Sequence, residues 1–359
     1  MTMKNLSVRQ KLGLELFRII KRKRREEHPL RELFWECTWR CNLHCRHCGS
    51  DCKSSSTLPD MPAEDFLRVV DSLLPHVDPH TLNIIITGGE PLVRQDLETV
   101  GRALYDRELP WGIVTNGLLL TEERFLSLRR AGLHNITISL DGLGDTHNWM
   151  RGNPRSFERA VAAIRMVAKA EDLNFDVVTC VNKKSLGELD RVRDLLIDAG
   201  VKRWRLFTIF PAGRAAAYPE FQLNAEDTMQ LMEFIASTRK EGRIKASFCC
   251  EGFLGGYEGV ARDGFFECAA GVTVGSVLLD GGIGACPSIR ADYRQGNIYR
   301  DDFWEVWQNG FRQYRDRSWM KRGECSECSF WRYCEGNGMH LRDSEGNLMH
   351  CNLRTMKGR

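Results

Sequence analysis

Three cysteines, Cys41, Cys45 and Cys48, stand in the segment CNLHCRHC with the spacing C-x3-C-x2-C. Thiolates are soft ligands, and a loop this short can fold three of them around one corner of an iron–sulfur cube. Three ligands leave one iron without a protein ligand. That vacancy can take a small molecule through an amine and a carboxylate, as an open zinc site takes water. Cys37 and Cys52 flank the triplet and read as buried or spare thiols, because the triplet already supplies the ligands. Eight of the fourteen cysteines lie much later, between 249 and 351.

The elements around the triplet form a rhythm. Strand patterns rich in β-branched and apolar residues fall at 33–36, 82–87, 112–115, 135–140, 175–181 and 203–209. Helical patterns fall at 62–77, 96–105, 122–131, 157–170, 186–199 and 225–240. Strands alternating with helices imply βαβ units and a parallel sheet. The expected fold is therefore α/β, a partial (β/α)6 TIM-like barrel or an open sheet, with ligands at the carboxyl ends of the strands. After about residue 245 the rhythm stops, glycine becomes frequent and cysteines accumulate. The expectation there is a cysteine-rich iron–sulfur domain held by metal more than by a large apolar core. The organisation expected is a basic helical segment at 1–32, the barrel at 33–244 and the cysteine-rich domain at 245–359.

Composition narrows the class. With 359 residues, 42% apolar and 28% charged, the chain is neither disordered nor fibrous. The formal net charge of +3 gives no sign of a nucleic-acid partner. No apolar run resembles a signal segment or is long enough to span a bilayer, so the expected location is cytoplasmic, where many cysteines point to metal or redox chemistry. Positive charge gathers at the start: residues 1–31 carry ten Lys/Arg against three acids. Leu12, Leu16, Ile19 and Ile20 recur there at helical spacing ahead of the Lys21–Arg25 run. The plain expectation is a docked helix with a solvated basic end. The alternatives are a contact for an acidic peptide, a membrane surface or RNA.

C-x3-C-x2-C after a first strand resembles the radical S-adenosylmethionine superfamily. Further elements follow in order: Gly88-Gly89-Glu90-Pro91 ends the second strand, Thr115-Asn116-Gly117 the third, and Ser139-Leu140-Asp141-Gly142 the fourth, with His147 and Arg151 downstream. The resemblance implies a 4Fe-4S cluster on Cys41, Cys45 and Cys48, with S-adenosylmethionine on its open iron. It implies cofactor contacts from Gly88, Gly89, Glu90, Asn116, Ser139, Asp141 and Arg151. Glu90 would accept from the methionyl amine, Ser139 and Arg151 would hold the carboxylate, and Asp141 would lie near the ribose. The two glycines would let the ligand approach the backbone. His147 reads as a local hydrogen-bonding residue. Asn182, Arg205 and Arg214 would face the same mouth.

Cys268, Gly281-x4-Cys286, Cys325-x2-Cys328-x5-Cys334 and Cys351 resemble the SPASM extension of this superfamily. One or two auxiliary iron–sulfur clusters are implied. The distal set of Cys325, Cys328, Cys334 and Cys351 is complete at four thiolates, though four thiolates with a C-x2-C knuckle also suit structural zinc. The proximal set has Cys268 and Cys286, with Cys249 or Cys250 as a possible third ligand and Gly338 where family members usually have Cys. Pro287 follows Cys286 where the sulfatase-maturating branch has an Asp base, and nothing points Asp280 at a substrate. The activity implied is reductive cleavage of S-adenosylmethionine, served by an external low-potential electron donor, and oxidative modification of a peptide or protein substrate. The alternatives are a dehydrogenase or epimerase of a small alcohol or sugar, RNA modification, and a non-catalytic iron–sulfur or zinc protein. No catalytic acid or base is nominated.

Overall fold

The computed structural model describes residues 6–249 and 251–358. Helix α1 (Val8–Glu27) precedes strand β1 (Glu32–Glu36). Six further parallel strands follow: β2 (Asn83–Thr87), β3 (Trp111–Thr115), β4 (Leu133–Ser139), β5 (Asn174–Val181), β6 (Arg203–Thr208) and β7 (Lys245–Phe248). Helices α2 (Ala63–Leu73), α3 (Leu97–Tyr105), α4 (Glu122–Arg130), α5 (Gly144–Arg151), α6 (Ser156–Val167), α7 (Lys183–Leu186), α8 (Leu189–Asp198) and α9 (Ala225–Glu241) connect them. β1 to β7 pair in sequential order. The seventh strand carries the rhythm one step beyond residue 244. On the other edge, β8 (Val274–Val277) pairs parallel with β1, and β9 (Gly282–Gly284) and β10 (Gly296–Asn297) extend it antiparallel. The cysteine-rich region thus shares one ten-stranded sheet with the barrel.

Side-chain alternation sorts the strands. Leu33, Trp35, Ile84, Ile86, Ile136, Ile138, Val177, Trp204 and Leu206 are buried under the helices. The opposite faces leave a polar bore of about 420 Å³, lined among others by Glu32, Asn83, Thr137, Asp176 and Arg205. A string of side-chain hydrogen bonds runs across its floor, from Arg203 through Asn174 and Asn135 to Asn83. It passes over β3 because Gly112 has no side chain; a Cβ there would stand 2.4 Å from that of Asn135.

Two expectations are corrected. Phe253, Phe303, Trp307, Phe311 and Met339 are fully buried and join the barrel's own core, so the cysteine-rich region does have an apolar interior. Helix α1 docks as expected, but through Leu14 and Lys21. The Lys21 Nζ donates to Tyr333 O and to Glu335, each at 2.6 Å. Leu12, Leu16, Ile19 and Ile20 face outward. Among the described residues no helix is long and apolar enough to cross a membrane.

Candidate active site

β1 ends at Glu36, and the chain enters the loop carrying Cys41, Cys45 and Cys48. The loop is held through its carbonyl groups. Gly89 N–H donates to Thr38 O at 2.7 Å and Glu90 N–H to Arg40 O at 3.0 Å. From the far side, Arg214 Nε donates to Cys45 O at 2.7 Å and Nη1 to Cys52 O at 2.9 Å, while its own N–H reaches Cys48 O at 3.0 Å. A Cβ on Gly88 would lie 2.2 Å from Thr38 O, and one on Gly89 2.2 Å from Arg40 O. The absence of side chains on Gly88 and Gly89 thus lets the cysteine loop pack directly against the end of β2. Gly88 also has φ +139°, a conformation that glycine alone adopts without strain.

Glu90 is buried, and burial pushes its carboxyl pKa up. One oxygen accepts from the Thr115 hydroxyl at 2.7 Å and the Leu92 N–H at 3.2 Å; the other accepts from the Asn116 N–H at 2.8 Å. A carboxylate offers about four lone-pair sites, so one remains open. Asn116 Nδ2 donates to Asn42 Oδ1 at 2.8 Å and stands 4.0 Å from Cys41 Sγ, tying the third strand to the loop.

Asp141 and Arg151 are both buried and form an ion pair at 2.6 Å. Arg151 ends α5, a helix the sequence pattern did not announce, and its Nη1 stands 3.7 Å from Cys45 Sγ. Asp141 also accepts from the Cys180 N–H at 3.0 Å and lies 3.5 Å from His47 Nε2. Burial pushes the Asp141 carboxyl up, but the Arg151 guanidinium and the two nearby imidazoles prevail and hold it at about 2. His147 Nδ1 accepts from the Asp141 N–H, so its Nε2 carries the proton and points to Ser156 Oγ at 3.1 Å. This is the local role expected of it. Burial pushes the His47 ring down to about 4 and the His147 ring to about 3. Ser139, mostly buried, sits at the end of β4 beside this pair.

The nominated residues stand at or just past the carboxyl ends of β1 to β4, with Arg151 at the end of α5. His47, Cys180 and Asn42 were missed. Ligand atoms of His47, Asp141 and Cys180 lie within 4.8 Å of one another. The available signals were the place of His47 between two cysteines of the triplet and the inward register of Cys180. Of the three mouth candidates, only Arg214 serves the loop. Asn182 caps α7, and Arg205 pairs with Asp176 inside the bore.

The site fits a metal cluster with a polar ligand. Ten buried side-chain polar atoms lack a hydrogen-bond partner among the described residues. Four of them, Asn42 Nδ2, His47 Nδ1, Asp141 Oδ2 and Arg151 Nε, gather beside the triplet. The last two face each other as an ion pair without the alignment of a hydrogen bond. Buried polar groups are otherwise nearly always bonded, so Asn42 Nδ2 and His47 Nδ1, which have no such charge partner, mark a place for polar partners. The thiols are not uniform. Cys52 donates to Cys48, which with Arg214 nearby brings the Cys48 thiol down to about 5. Burial pushes Cys41 up to about 12 and raises Cys45 against the pull of Arg151. A bound metal supplies the positive charge that such thiols need to ionise.

The distal thiols Cys325, Cys328, Cys334 and Cys351 line one cavity of about 60 Å³, walled by Phe330, Trp331 and Leu353. Among the described residues no three of these sulfurs come within 4.8 Å of one another. One tetrahedral zinc, at about 2.3 Å from each sulfur, would draw them closer than that. At the proximal pair, burial pushes Cys286 up to about 11, while Arg317 and the Met339 N–H hold Cys268 below its ordinary value against burial. The Met339 N–H stands 3.5 Å from Cys268 Sγ, so the position of Gly338, where a thiol is missing, adjoins this pair. Cys249 bonds to Arg205 in the bore, and Cys250 lies outside the described residues.

A barrel mouth with three neighbouring thiols and orphaned polar groups defines the class of enzymes that activate a nucleoside at an open iron. The chain belongs to the radical SAM superfamily and carries a SPASM domain: the superfamily model matches residues 35–196 and the iron–sulfur cluster-binding domain residues 268–329. Its cofactors are a 4Fe-4S cluster, S-adenosylmethionine and auxiliary iron–sulfur ligation. It is 30% identical over 328 residues to the AdoMet-dependent heme synthase of Methanosarcina barkeri, covering 85% of this chain and 90% of that protein. It is 28% identical over 315 residues to the mycofactocin maturase MftC of Mycobacterium tuberculosis, covering 86% and 78%. Among solved structures, Streptococcus suis SuiB bound to its precursor peptide SuiA superposes with a TM-score of 0.70 at 17% identity, over 91% of this chain and 77% of that one. The AdoMet-bound anSMEcpe superposes with 0.67 at 20% identity, over 92% and 95%. At these identities the structures speak for the fold alone.

Proposed function

We propose that Cys41, Cys45 and Cys48 hold the 4Fe-4S cluster, that Gly88, Gly89, Glu90, Asn116, Ser139, Asp141 and Arg151 seat S-adenosylmethionine, and that the enzyme oxidatively modifies a peptide or protein. In this reading Cys325, Cys328, Cys334 and Cys351 hold one auxiliary cluster, and Cys268 and Cys286 contribute to another. When bound, cluster and nucleoside together supply one-electron cleavage of the sulfonium and a 5′-deoxyadenosyl radical that abstracts hydrogen. The chain's own residues do the rest. Glu90 has one lone pair left for an amine. The Ser139 hydroxyl and the Arg151 guanidinium serve the carboxylate from the end of β4 and from α5. The helices around the strand ends exclude water from the site. An external low-potential donor is required.

One observation favours a polypeptide. A cleft of about 500 Å³ opens at the carboxyl ends of β1 and β8, between Trp39 of the cysteine loop and Cys286 of the proximal pair. Its walls carry both signs of charge, with Glu36, Arg290, Asp292 and Arg294. Such a wall suits an extended chain with mixed side chains and backbone amides. The similarity to the heme synthase supports a second reading, an iron tetrapyrrole substrate. Anaerobically reconstituted enzyme with dithionite separates them. Peptide fractions of a cell extract should raise 5′-deoxyadenosine above the substrate-free rate and gain a mass change. A response to iron tetrapyrroles alone would overturn the polypeptide reading.

A further inference from the structure

We infer that α1 is a peripheral membrane anchor that lays an apolar stripe into the headgroup boundary of an anionic lipid bilayer. The observation is the reversal of its expected face. Val8, Leu12, Leu16, Ile19 and Ile20 are 74%, 68%, 61%, 62% and 39% exposed, and they make five of the twelve exposed large hydrophobics among the described residues. Their spacing puts them on one side of the helix over thirteen residues, a rise of about 18 Å. A solvent-facing helix has no use for such a row, and clustered exposed apolar groups mark contact surfaces.

The helix is held so that the stripe stays outward. Lys21, in the same helix, is buried on the inner side and is fixed by Glu335 and Tyr333 O. Arg25 pairs with the same carboxylate, and Arg24 with Glu267. Gln10 Nε2 donates to Gly256 O at 2.7 Å.

Charge selects the occupant. Arg9, Lys11 and Arg22 flank the stripe, and Lys23 follows its far end. Arg9 and Lys11 have no ion-pair partner among the described residues. The acids nearby are already matched, Glu15 by Arg332 and Arg18, Glu26 by Arg22, and Glu27 by Lys23. Two such cationic helices would repel, which disfavours a second copy of this chain as the cover. Lys23 lies in line with the stripe, so a partner protein's groove would have to desolvate its ammonium. At a bilayer the long lysine and arginine stems reach back to the phosphates while the leucines and isoleucines sink. Anionic headgroups attract the cationic rims, and salt weakens that attraction.

The test uses the reconstituted holoenzyme under anaerobic conditions, with phosphatidylcholine vesicles made with or without phosphatidylglycerol. Cosedimentation is expected with the phosphatidylglycerol vesicles, to fall at high salt, and to be weak with phosphatidylcholine alone. Leu12→Glu with Ile19→Glu should lower binding at least tenfold, and Arg9→Glu with Lys11→Glu should lower it at low salt only. Iron content and 5′-deoxyadenosine formation should be unchanged in both variants. Three results would overturn the proposal: no binding to anionic vesicles, binding that survives Leu12→Glu with Ile19→Glu, or a wild-type dimer that this variant splits while vesicles bind neither form.

Discussion

Replacing Asp141 with Asn removes a charge from a carboxylate that has no solvent to fall back on. Its pKa is about 2 in the fold against 3.8 for a free Asp side chain. Each tenfold change in a proton's dissociation constant is worth about 1.36 kcal/mol, so the charged form gains about 2.5 kcal/mol from folding. Removing one partner of a buried pair leaves the other uncompensated and typically costs ~3–5 kcal/mol. The expected loss for Asp141→Asn is therefore about 2.5–4 kcal/mol in urea unfolding of the metal-free chain at neutral pH. Because the folded pKa is depressed, this contribution is present above about pH 4 and fades as the pH falls towards 2. Asp141→Asn should remove that acid-side slope along with the stability. Arg151→Met should cost a similar amount. The double variant should cost much less than the sum, because neither remaining group is then a stranded charge. Additive losses would refute the pair as the element that locks the end of β4 to α5.

Other perturbations test the remaining supports. Gly89→Ala drives a methyl group to 2.2 Å from Arg40 O, so the cysteine loop must move; iron at the triplet should be lost while the distal set still loads, which Mössbauer spectra of wild type and variant would resolve. Glu251 is buried and bonded to Thr208, and burial pushes its carboxyl up to about 8. A raised folded pKa means the fold weakens as pH rises between about 4.5 and about 8, and Glu251→Gln should flatten that slope in urea titrations at successive pH values. Lys21→Met strips Tyr333 O and Glu335 of a donor; a loss of ~1–3 kcal/mol and faster hydrogen exchange confined to α1 are expected, with global exchange as the contrary result.

What the sequence could announce depended on whether the signal was local. The six expected strands match β1 to β6 closely, because β-branched runs such as Ile84, Ile85 and Ile86 are written into adjacent positions. β7 escaped because Lys245–Phe248 is only four residues long, with two of them polar towards the bore. α5 escaped because Gly144 and Asp145 read as a loop and its inner face is polar, with Thr146, His147 and Arg151 buried beside Met150. The outward stripe of α1 could not be told from an inward one: periodicity shows that a face exists, and only the partners of Leu14 and Lys21 show which face is used. The site residues were legible as types at strand ends. Their division of labour was not, since it turns on which lone pair of Glu90 is already taken and on which carbonyl crowds Gly89.

That division has a physical logic. The loop bearing the triplet is anchored through Thr38 O, Arg40 O, Cys45 O, Cys48 O and Cys52 O, all of them carbonyls. Anchoring by backbone fixes the loop before any metal arrives, while Asn116, Arg151 and Cys52 approach the sulfurs from the side. Side chains at the same strand ends are used the other way: Glu90 is bonded through three of its lone-pair sites and keeps one open. A site made only of saturated groups would be more stable and would bind nothing. Here the unsatisfied atoms beside the triplet sit on one face of a scaffold whose floor is fully bonded. The cost of the orphaned groups is thereby local, and a ligand that pairs with them recovers it on binding. Loading should for that reason raise thermal stability most where the orphans lie, around α5 and the cysteine loop, and leave exchange from the Asn83–Asn135–Asn174 floor of the barrel unaltered.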